Sequence, residues 1–180
     1  MATTASPTPA QMQAIVSPKD QFLTAFEQEH ATTMRVLRAY PADKSELQPH
    51  SKSKNARDLA WIFVIEMGML EKGLTTGFDW SQPPAPYPPA PDSVEAISET
   101  FDQGHKRVAS IVANLRDDQL FETVKFFVAP KTLGDVPKIQ FMWMVLCDQI
   151  HHRGQLSVYL RMADGKVPSI YGPTADEPWF

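Results

Sequence analysis

A proline-rich stretch in the middle of the chain constrains the fold more than any other feature. Residues 77–91 read GFDWSQPPAPYPPAP. Each proline lacks an amide hydrogen and fixes its own φ angle, so the stretch can form neither a helix nor a central strand. Helical patterns of hydrophobicity flank it on both sides, and its length suits a traverse along a bundle. We therefore interpret it as a stiff crossover between two helices rather than as a proline-rich ligand for another domain.

Four segments of the chain carry apolar residues at spacings of three and four, which is typical of the buried face of a helix. Residues able to cap a helix precede the first three segments, namely Ser17, Asn55 and either Asp92 or Ser93. The fourth helix is predicted to begin near Asp135 and to end near Ala163. The predicted fold class is all-α, a four-helix bundle in up-down-down-up order, because the long crossover allows the second and third helices to run parallel.

Outside the helices, three segments have their own predictions. Residues 123–128, TVKFFV, have β propensity but no evident partner strand, so we predict an ordered loop over the end of the bundle. Residues 1–16 are rich in Thr, Ser, Pro and Ala and are predicted to be a flexible leader, which leaves 17–180 as a single domain. The apolar and aromatic residues of 167–180 predict a tail that folds back on the bundle.

Composition excludes several classes of function. The formal charge of −4 argues against a nucleic-acid binder that uses a basic surface. No apolar run reaches the roughly 20 residues that a membrane span requires, and the N-terminus has no secretory signal. The single cysteine, Cys147, cannot form an intramolecular disulfide, so a cytoplasmic location is expected. Its place in the fourth helix predicts a small core residue.

The chemical question lies in that fourth helix. Asp148 and His152 are four residues apart on its apolar stripe, so both are predicted to point at a packed face. A carboxylate and an imidazole buried there require pairing, hydrogen bonding or a metal. Glu66 lies on the stripe of the second helix, either at its edge with the carboxylate in water or with a buried partner. Gly154, inside the fourth helix, predicts a close approach of a neighbouring backbone.

Several motifs resemble those of the DinB/YfiT-like family. HRGQL at 152–156 is followed by VYLR at 158–161, and this combination is fairly specific. ARDLAW at 56–61 resembles the start of the family's second helix, and PSIYGP at 168–173 resembles the tail of some members. The resemblance spans most of the chain and implies the same bundle.

The resemblance also implies a metal site of three histidines, one on the second helix and two on the fourth. Members with that site are similar to thiol-dependent S-transferases and isomerases, in which the metal activates a small thiol. This chain departs from the pattern, because only His152 matches. Asp148 stands where the family has the first histidine of the fourth helix, and Ile62 stands where the second helix would supply a ligand. Glu66, one turn further on, is the nearest replacement, whereas His151 points about 100° away from His152.

Three interpretations follow. The favoured one is a non-enzymatic or small-molecule-binding protein in which Asp148 and His152 form a pair in a degenerate pocket. The first alternative is a metal-dependent thiol S-transferase or hydrolase that binds Zn, Ni, Mn or Fe through Asp148, His152 and Glu66. The second is metal-free catalysis, with His152 as a general base oriented by Asp148.

Two further expectations concern other residues. The resemblance suggests a homodimer, and the apolar residues Trp143 and Met144, away from the main stripe, agree with it. His30 is expected to be a hydrogen-bonded core residue, and His105 is expected to be half exposed at the margin of its helix.

Overall fold

The computed structural model describes residues 17–83 and 85–180, which form four long helices and one β-hairpin. The helices are α1 (Pro18–Arg38), α2 (Ala56–Leu74), α3 (Val94–Asn114) and α4 (Lys138–Met162), and the strands are β1 (Thr123–Ala129) and β2 (Thr132–Pro137). Short 3-10 helices, Ala42–Lys44 and Asp117–Phe121, lie in two of the connections. The predicted leader, residues 1–16, lies outside the described residues.

The hairpin corrects both the all-α prediction and the loop predicted for residues 123–128. β1 and β2 are antiparallel, and the cross-strand partners Val124 and Val136 are both buried. The second strand, TLGDVP, combines a glycine and a proline with little alternation, so the sequence did not reveal it as a partner. Pro137 ends this strand, and the fourth helix therefore begins at Lys138 instead of near Asp135.

The predicted caps of the first three helices are confirmed. In each case the cap side chain accepts a hydrogen bond from the amide three residues further on, at 2.8–3.1 Å. The caps are Ser17, Asn55 and Ser93. Such bonds satisfy amides that have no partner inside the helix, so they fix where each helix begins.

Contacts between side chains give the directions of α2 and α3. Phe63 lies against Phe101, with ring centroids 5.7 Å apart, and further along both helices Glu71 pairs with Arg107 at 3.3 Å. The positions of the partner residues thus advance in the same direction along the two helices, which means that α2 and α3 run parallel.

α1 and α4 also run parallel. Phe22 meets Trp143 edge to face, with centroids 5.3 Å apart, and later along both helices Glu29 pairs with Arg153 at 2.6 Å. These helix pairs run in the directions expected for an up-down-down-up order. The aromatic core between them includes Phe22, Phe26, Phe63, Phe101 and Phe141, all of which are buried.

The described residues of the crossover between α2 and α3 form no helix or strand, as predicted, and two tryptophans attach the crossover to its neighbours. Trp61 of α2 donates its indole N–H to the carbonyl of Pro88 at 2.8 Å. Trp80, within the crossover, donates to the carbonyl of Lys125 in β1 at 2.8 Å. The crossover is therefore attached both to the bundle and to the hairpin.

The tail folds back on the bundle, as predicted. Arg35 of α1 pairs with Glu177 at 2.5 Å, and Arg161 of α4 pairs with Asp176. Tyr171 accepts a hydrogen bond from buried Arg153 at 2.5 Å. The tail thus spans α1 and α4.

Two single-residue predictions on α4 are wrong. Cys147 is exposed instead of buried, because the buried stripe passes through Val145, Leu146 and Gln149. Gly154 has no neighbouring atom within 4 Å of the place where a Cβ would stand, so no backbone approaches it closely. Within the described residues, no helix combines the length and the hydrophobicity needed to cross a membrane.

Candidate functional site

The antiparallel packing of α2 and α4 brings the three candidate residues together. Near the start of α2, the Lys54 carbonyl accepts a hydrogen bond from Tyr159 at 3.1 Å, whereas near its end Gly73 lies against Phe141. This register places the middle of α2 opposite the middle of α4. Glu66 is therefore next to His152 although 86 residues separate them in the sequence.

The cluster consists of one imidazole and two carboxylates. His152 Nδ1 lies 2.9 Å from Glu66 Oε1, within hydrogen-bonding distance, and 4.0 Å from Asp148 Oδ1. One potential ligand atom from each residue lies within 4.8 Å of the others. Glu66 is 2% exposed, whereas the side chain of Asp148 is 58% exposed. The cluster therefore has a buried end at Glu66 and an open end at Asp148.

The electrostatics of the pair follow from this burial. Burial raises the pKa of the Glu66 carboxyl to about 7, although the hydrogen bond with His152 opposes the shift. The same hydrogen bond raises the pKa of His152 above its ordinary value, against the effect of burial. Both groups therefore keep their protons to a higher pH than they would in water.

The second carboxylate oxygen of Glu66, Oε2, differs from Oε1 in its contacts. Oε2 is buried and has no hydrogen-bond partner among the described residues. Leaving a carboxylate oxygen unpaired in a protein interior is costly, so such atoms are uncommon without a proton, a water molecule or an ion beside them.

The prediction for Asp148 needs correction, because it does not lie on the buried stripe of α4. That stripe passes through Gln149 and Arg153, one position further along the helix, and this rotation turns Asp148 towards solvent. Of the two alternatives for Glu66, the structure shows the one in which the carboxylate is buried and has a partner, His152. Ile62 is half-buried and offers no ligand atom, and His151 points away, with its ring nitrogen 2.9 Å from the Gln155 amide.

The arginine of the HRGQ motif serves the fold instead of this cluster. Arg153 is 1% exposed and pairs with Glu29 at 2.6 Å. It also donates hydrogen bonds to Thr33 and Tyr171. Its guanidinium therefore joins α1, α4 and the tail on the side of α4 that faces α1, whereas His152 faces Glu66 of α2.

Sequence analysis missed a second cluster, formed by Glu27, His30 and His105 between α1 and α3. His105 was expected to be half exposed, but it is 2% exposed. A usable signal was present, because His30 follows Glu27 by three residues and His105 follows Asp102 by three. This spacing places each carboxylate beside its histidine on one helix face.

A groove lies apart from both clusters. It has a volume of about 660 Å³, and its aromatic lining comes from the crossover and β1, namely Phe78, Trp80, Tyr87, Phe126 and Phe127. None of the residues of either cluster lines it.

Comparisons with known proteins agree with the fold. YrdA of Bacillus subtilis, which is described as uncharacterized, is 28% identical over 160 residues, covering 88% of this chain and 90% of YrdA. The crystal structure of a DinB-like protein from Bacillus cereus matches 83% of this chain and 95% of that one, with a TM-score of 0.70 and 21% identity. For the DinB-like protein YjoA of B. subtilis the coverage is 89% and 99%, with a TM-score of 0.63 and 16% identity.

The match to a family extends almost from one end of the sequence to the other. Residues 11–178 match the DinB family, a range that includes all four helices, the hairpin and both clusters. The chain therefore belongs to the DinB family.

Proposed function

We propose that Glu66, Asp148 and His152 bind one divalent metal ion and that the protein uses it in a transfer or hydrolysis reaction on a small molecule. The observation that carries this proposal is the buried carboxylate of Glu66, which lies 2.9 Å from His152 and has an unpaired second oxygen. A metal ion would satisfy that oxygen and would offset the cost of its burial.

The donor set supports this proposal even though it is not the three-histidine set. Two carboxylates and one imidazole suit Zn, Fe or Mn, and Ni remains a candidate through the imidazole. Only small movements are needed, because the three ligand atoms already lie within 4.8 Å of one another. The exposed position of Asp148 leaves one side of the cluster open for a substrate.

The chain's own residues supply the rest of the chemistry. A divalent metal ion, when bound, lowers the pKa of a thiol or water molecule attached to it. Glu66, whose pKa is about 7, exchanges a proton near neutral pH only while no metal ion is bound to it and to its partner His152. Together these properties suit a thiol S-transferase or a hydrolase. Without a metal, the same pair could act as a general base, which keeps metal-free catalysis as an alternative.

Metal content tests the proposal. Untagged protein is incubated with Zn²⁺, Ni²⁺, Mn²⁺ or Fe²⁺, desalted and subjected to elemental analysis, together with Glu66→Gln and His152→Gln. The control is His151→Gln, which changes an exposed neighbour on the same helix. Wild type and the control should each hold about one metal ion per chain more than the two cluster variants. Equal metal content in all four proteins would contradict the proposal.

Binding of a small molecule without catalysis is the second candidate, and the aromatic groove favours it. Lys72 lies 5.7 Å above the ring of Phe78 at the groove, so an apolar anion would meet both aromatic faces and a positive charge. The probe 8-anilinonaphthalene-1-sulfonate should bind wild type more tightly than Trp80→Ala. Trp179→Ala, which changes an exposed tryptophan of the tail, is the matched control. Identical binding to all three proteins would exclude the groove.

Three proposals concern the whole protein. A homodimer is supported by Trp143 and Met144, which are each 37% exposed on adjacent positions of α4. A Trp143→Glu variant should then sediment as a monomer and wild type as a dimer.

A cytoplasmic location and the absence of a nucleic-acid partner are supported by the single cysteine and the net charge of −4.

A further inference from the structure

The second cluster has an approximate symmetry that the first lacks. On α1, Glu27 precedes His30 by three residues, and on α3, Asp102 precedes His105 by three. α1 and α3 run in opposite directions, because Phe26 contacts His105, whereas His30, later in α1, contacts Phe101, earlier in α3. Each carboxylate therefore faces the histidine of the other helix.

The distances reflect this exchange. Glu27 Oε1 lies 3.1 Å from His105 Nε2, and Asp102 Oδ1 lies 3.3 Å from His30 Nε2. The two imidazole rings are stacked, with centroids 3.8 Å apart and an interplanar angle of 12°. Glu-x-x-His motifs on facing helices are a recurring way of building metal sites inside helical bundles.

The imidazoles are buried without adequate hydrogen bonds. The side chain of His105 is 3% exposed, and neither of its ring nitrogens has an aligned hydrogen-bond partner within the described part of the chain. The same is true of His30 Nε2. The nearby carboxylates are close enough for ion pairing, but they do not lie along the N–H directions. Buried nitrogens of this kind are costly unless a proton acceptor, a water molecule or a metal ion reaches them.

Burial disfavours the charged form of both histidines. Burial, with a smaller contribution from the neighbouring His105, lowers the pKa of His30 to about 4, although Asp102 and Glu27 oppose the shift. Burial also lowers the pKa of His105, although Glu27 opposes that shift. Neutral imidazoles carry the lone pair that a metal ion requires.

We propose that Glu27, His30 and His105 form a second divalent metal site, between α1 and α3, that is separate from the Glu66 cluster. One ligand atom from each of the three lies within 4.8 Å of the others. Two imidazoles and a carboxylate are a donor set suited to Zn²⁺ or Co²⁺.

Binding at this site requires two local adjustments. The stacked rings must tilt apart, because the lone pairs of parallel rings do not converge on one point. Glu27, whose side chain is 60% exposed, must move its carboxylate inward. Asp102 is bound to Lys106 at 2.6 Å, so it remains outside the ligand set and acts through its contact with His30.

Cobalt titration tests the second site independently of the first. The protein carries Glu66→Gln and His152→Gln, is treated with a chelator and is then titrated with Co²⁺ while the visible absorption is recorded. Bands of a low-symmetry Co²⁺ site are expected, and adding His30→Gln should abolish them. Loss of even an outer partner weakens metal sites by about 10–100-fold, so Glu27→Gln should weaken Co²⁺ binding at least about tenfold.

The remaining histidines provide the matched control. His50 and His151 are exposed, and replacing both with Gln in the same background should leave the Co²⁺ affinity unchanged. His105 is kept in every variant because it is buried, and circular dichroism verifies that each variant is folded. As a second readout, Zn²⁺ should shift the ring nitrogen resonances of His30 and His105.

Three results would overturn the second site. One is the absence of visible Co²⁺ bands in the background protein. Another is a Co²⁺ affinity of the Glu27→Gln and His30→Gln variants that is unchanged from the background protein, and the third is unchanged ring resonances at saturating Zn²⁺. Each would mean that the stacked histidines only pack the core. Because the background already lacks the Glu66 cluster, these results are distinguishable from failure of the first metal site.

Discussion

Single residues carry most of the chemistry of this protein, and Glu66 is the clearest case. Its carboxylate is buried on α2, and its one polar contact with full hydrogen-bond geometry among the described residues is with His152 on α4. The pKa of Glu66 is about 7 in the folded chain, against an ordinary value of 4.5. This difference links the stability of the metal-free protein to pH.

The raised pKa of Glu66 stabilises the folded metal-free chain more at low pH than at high pH. A carboxyl whose pKa is raised by folding keeps a proton that the unfolded chain has released, so its contribution is complete below pH 4.5 and is lost as the pH rises through about 7. We predict that the free energy of unfolding of metal-free wild type falls over this window relative to Glu66→Gln. The relative fall should reach at most about 3 kcal/mol. Urea unfolding of both proteins across the window measures it, and parallel pH profiles would contradict the prediction.

Arg153 is also charged and buried, but unlike Glu66 it is fully paired and therefore stabilises the fold. Replacing it with Leu would leave the Glu29 carboxylate without its cation, although Tyr171 would still donate a hydrogen bond to it at 2.8 Å, and the loss of one partner of a buried pair costs about 3–5 kcal/mol. Arg161→Leu is the control, because it breaks a half-exposed pair with Asp176 on the same helix and should cost less than about 1 kcal/mol. Urea unfolding measures both losses. Equal losses would show that Arg153 does not anchor the tail.

At the scale of elements, helix contacts explain which glycines are required. A Cβ at Gly104 of α3 would lie 2.9 Å from the Cβ of Met67 on α2, whereas nothing lies within 4 Å of a Cβ at Gly154 of α4. The first glycine permits close helix packing, and the second is a site of low helix propensity without a packing role.

This contrast gives a matched pair of variants. Gly104→Ala should destabilise the protein by about 1–3 kcal/mol, because the backbones of α2 and α3 must separate. Gly154→Ala should stabilise it by up to about 1 kcal/mol through helix propensity. Thermal unfolding of the two variants beside wild type measures the effects, and destabilisation by Gly154→Ala would refute the assignment.

At the scale of the whole molecule, the bundle carries two clusters on different helix pairs. Glu66, Asp148 and His152 lie between α2 and α4, and the second cluster lies between α1 and α3. The two sites share no residue, so ions bound to them should stabilise the fold independently.

Zinc should therefore raise the melting temperature in two separable parts. Binding to the folded state alone stabilises a protein by about 2.7 kcal/mol per site at 100 times the dissociation constant. Glu66→Gln and His30→Gln should each lose part of the increase, and the double variant should lose all of it. Differential scanning calorimetry with and without Zn²⁺ measures these shifts. An undiminished increase in the double variant would place the bound zinc elsewhere.

The sequence by itself determined the features that depend on local interactions. Ser17, Asn55 and Ser93 cap helices through bonds to amides three residues away, and the prolines of 77–91 exclude regular structure through their own geometry. The spacing of apolar residues determined the buried faces of α1, α2 and α3. None of these features needs a distant partner, which is why each could be predicted.

Only the tertiary structure decided which distant residues meet. β1 became a strand because β2 pairs with it, and Glu66 became a buried partner of His152 because the register of α2 against α4 brings them within 2.9 Å. A small rotation of α4 turned Asp148 outward, and the crossing of α1 and α3 buried His105. Such outcomes depend on the packing of whole helices, and periodicity along one helix defines its apolar face without defining its partner.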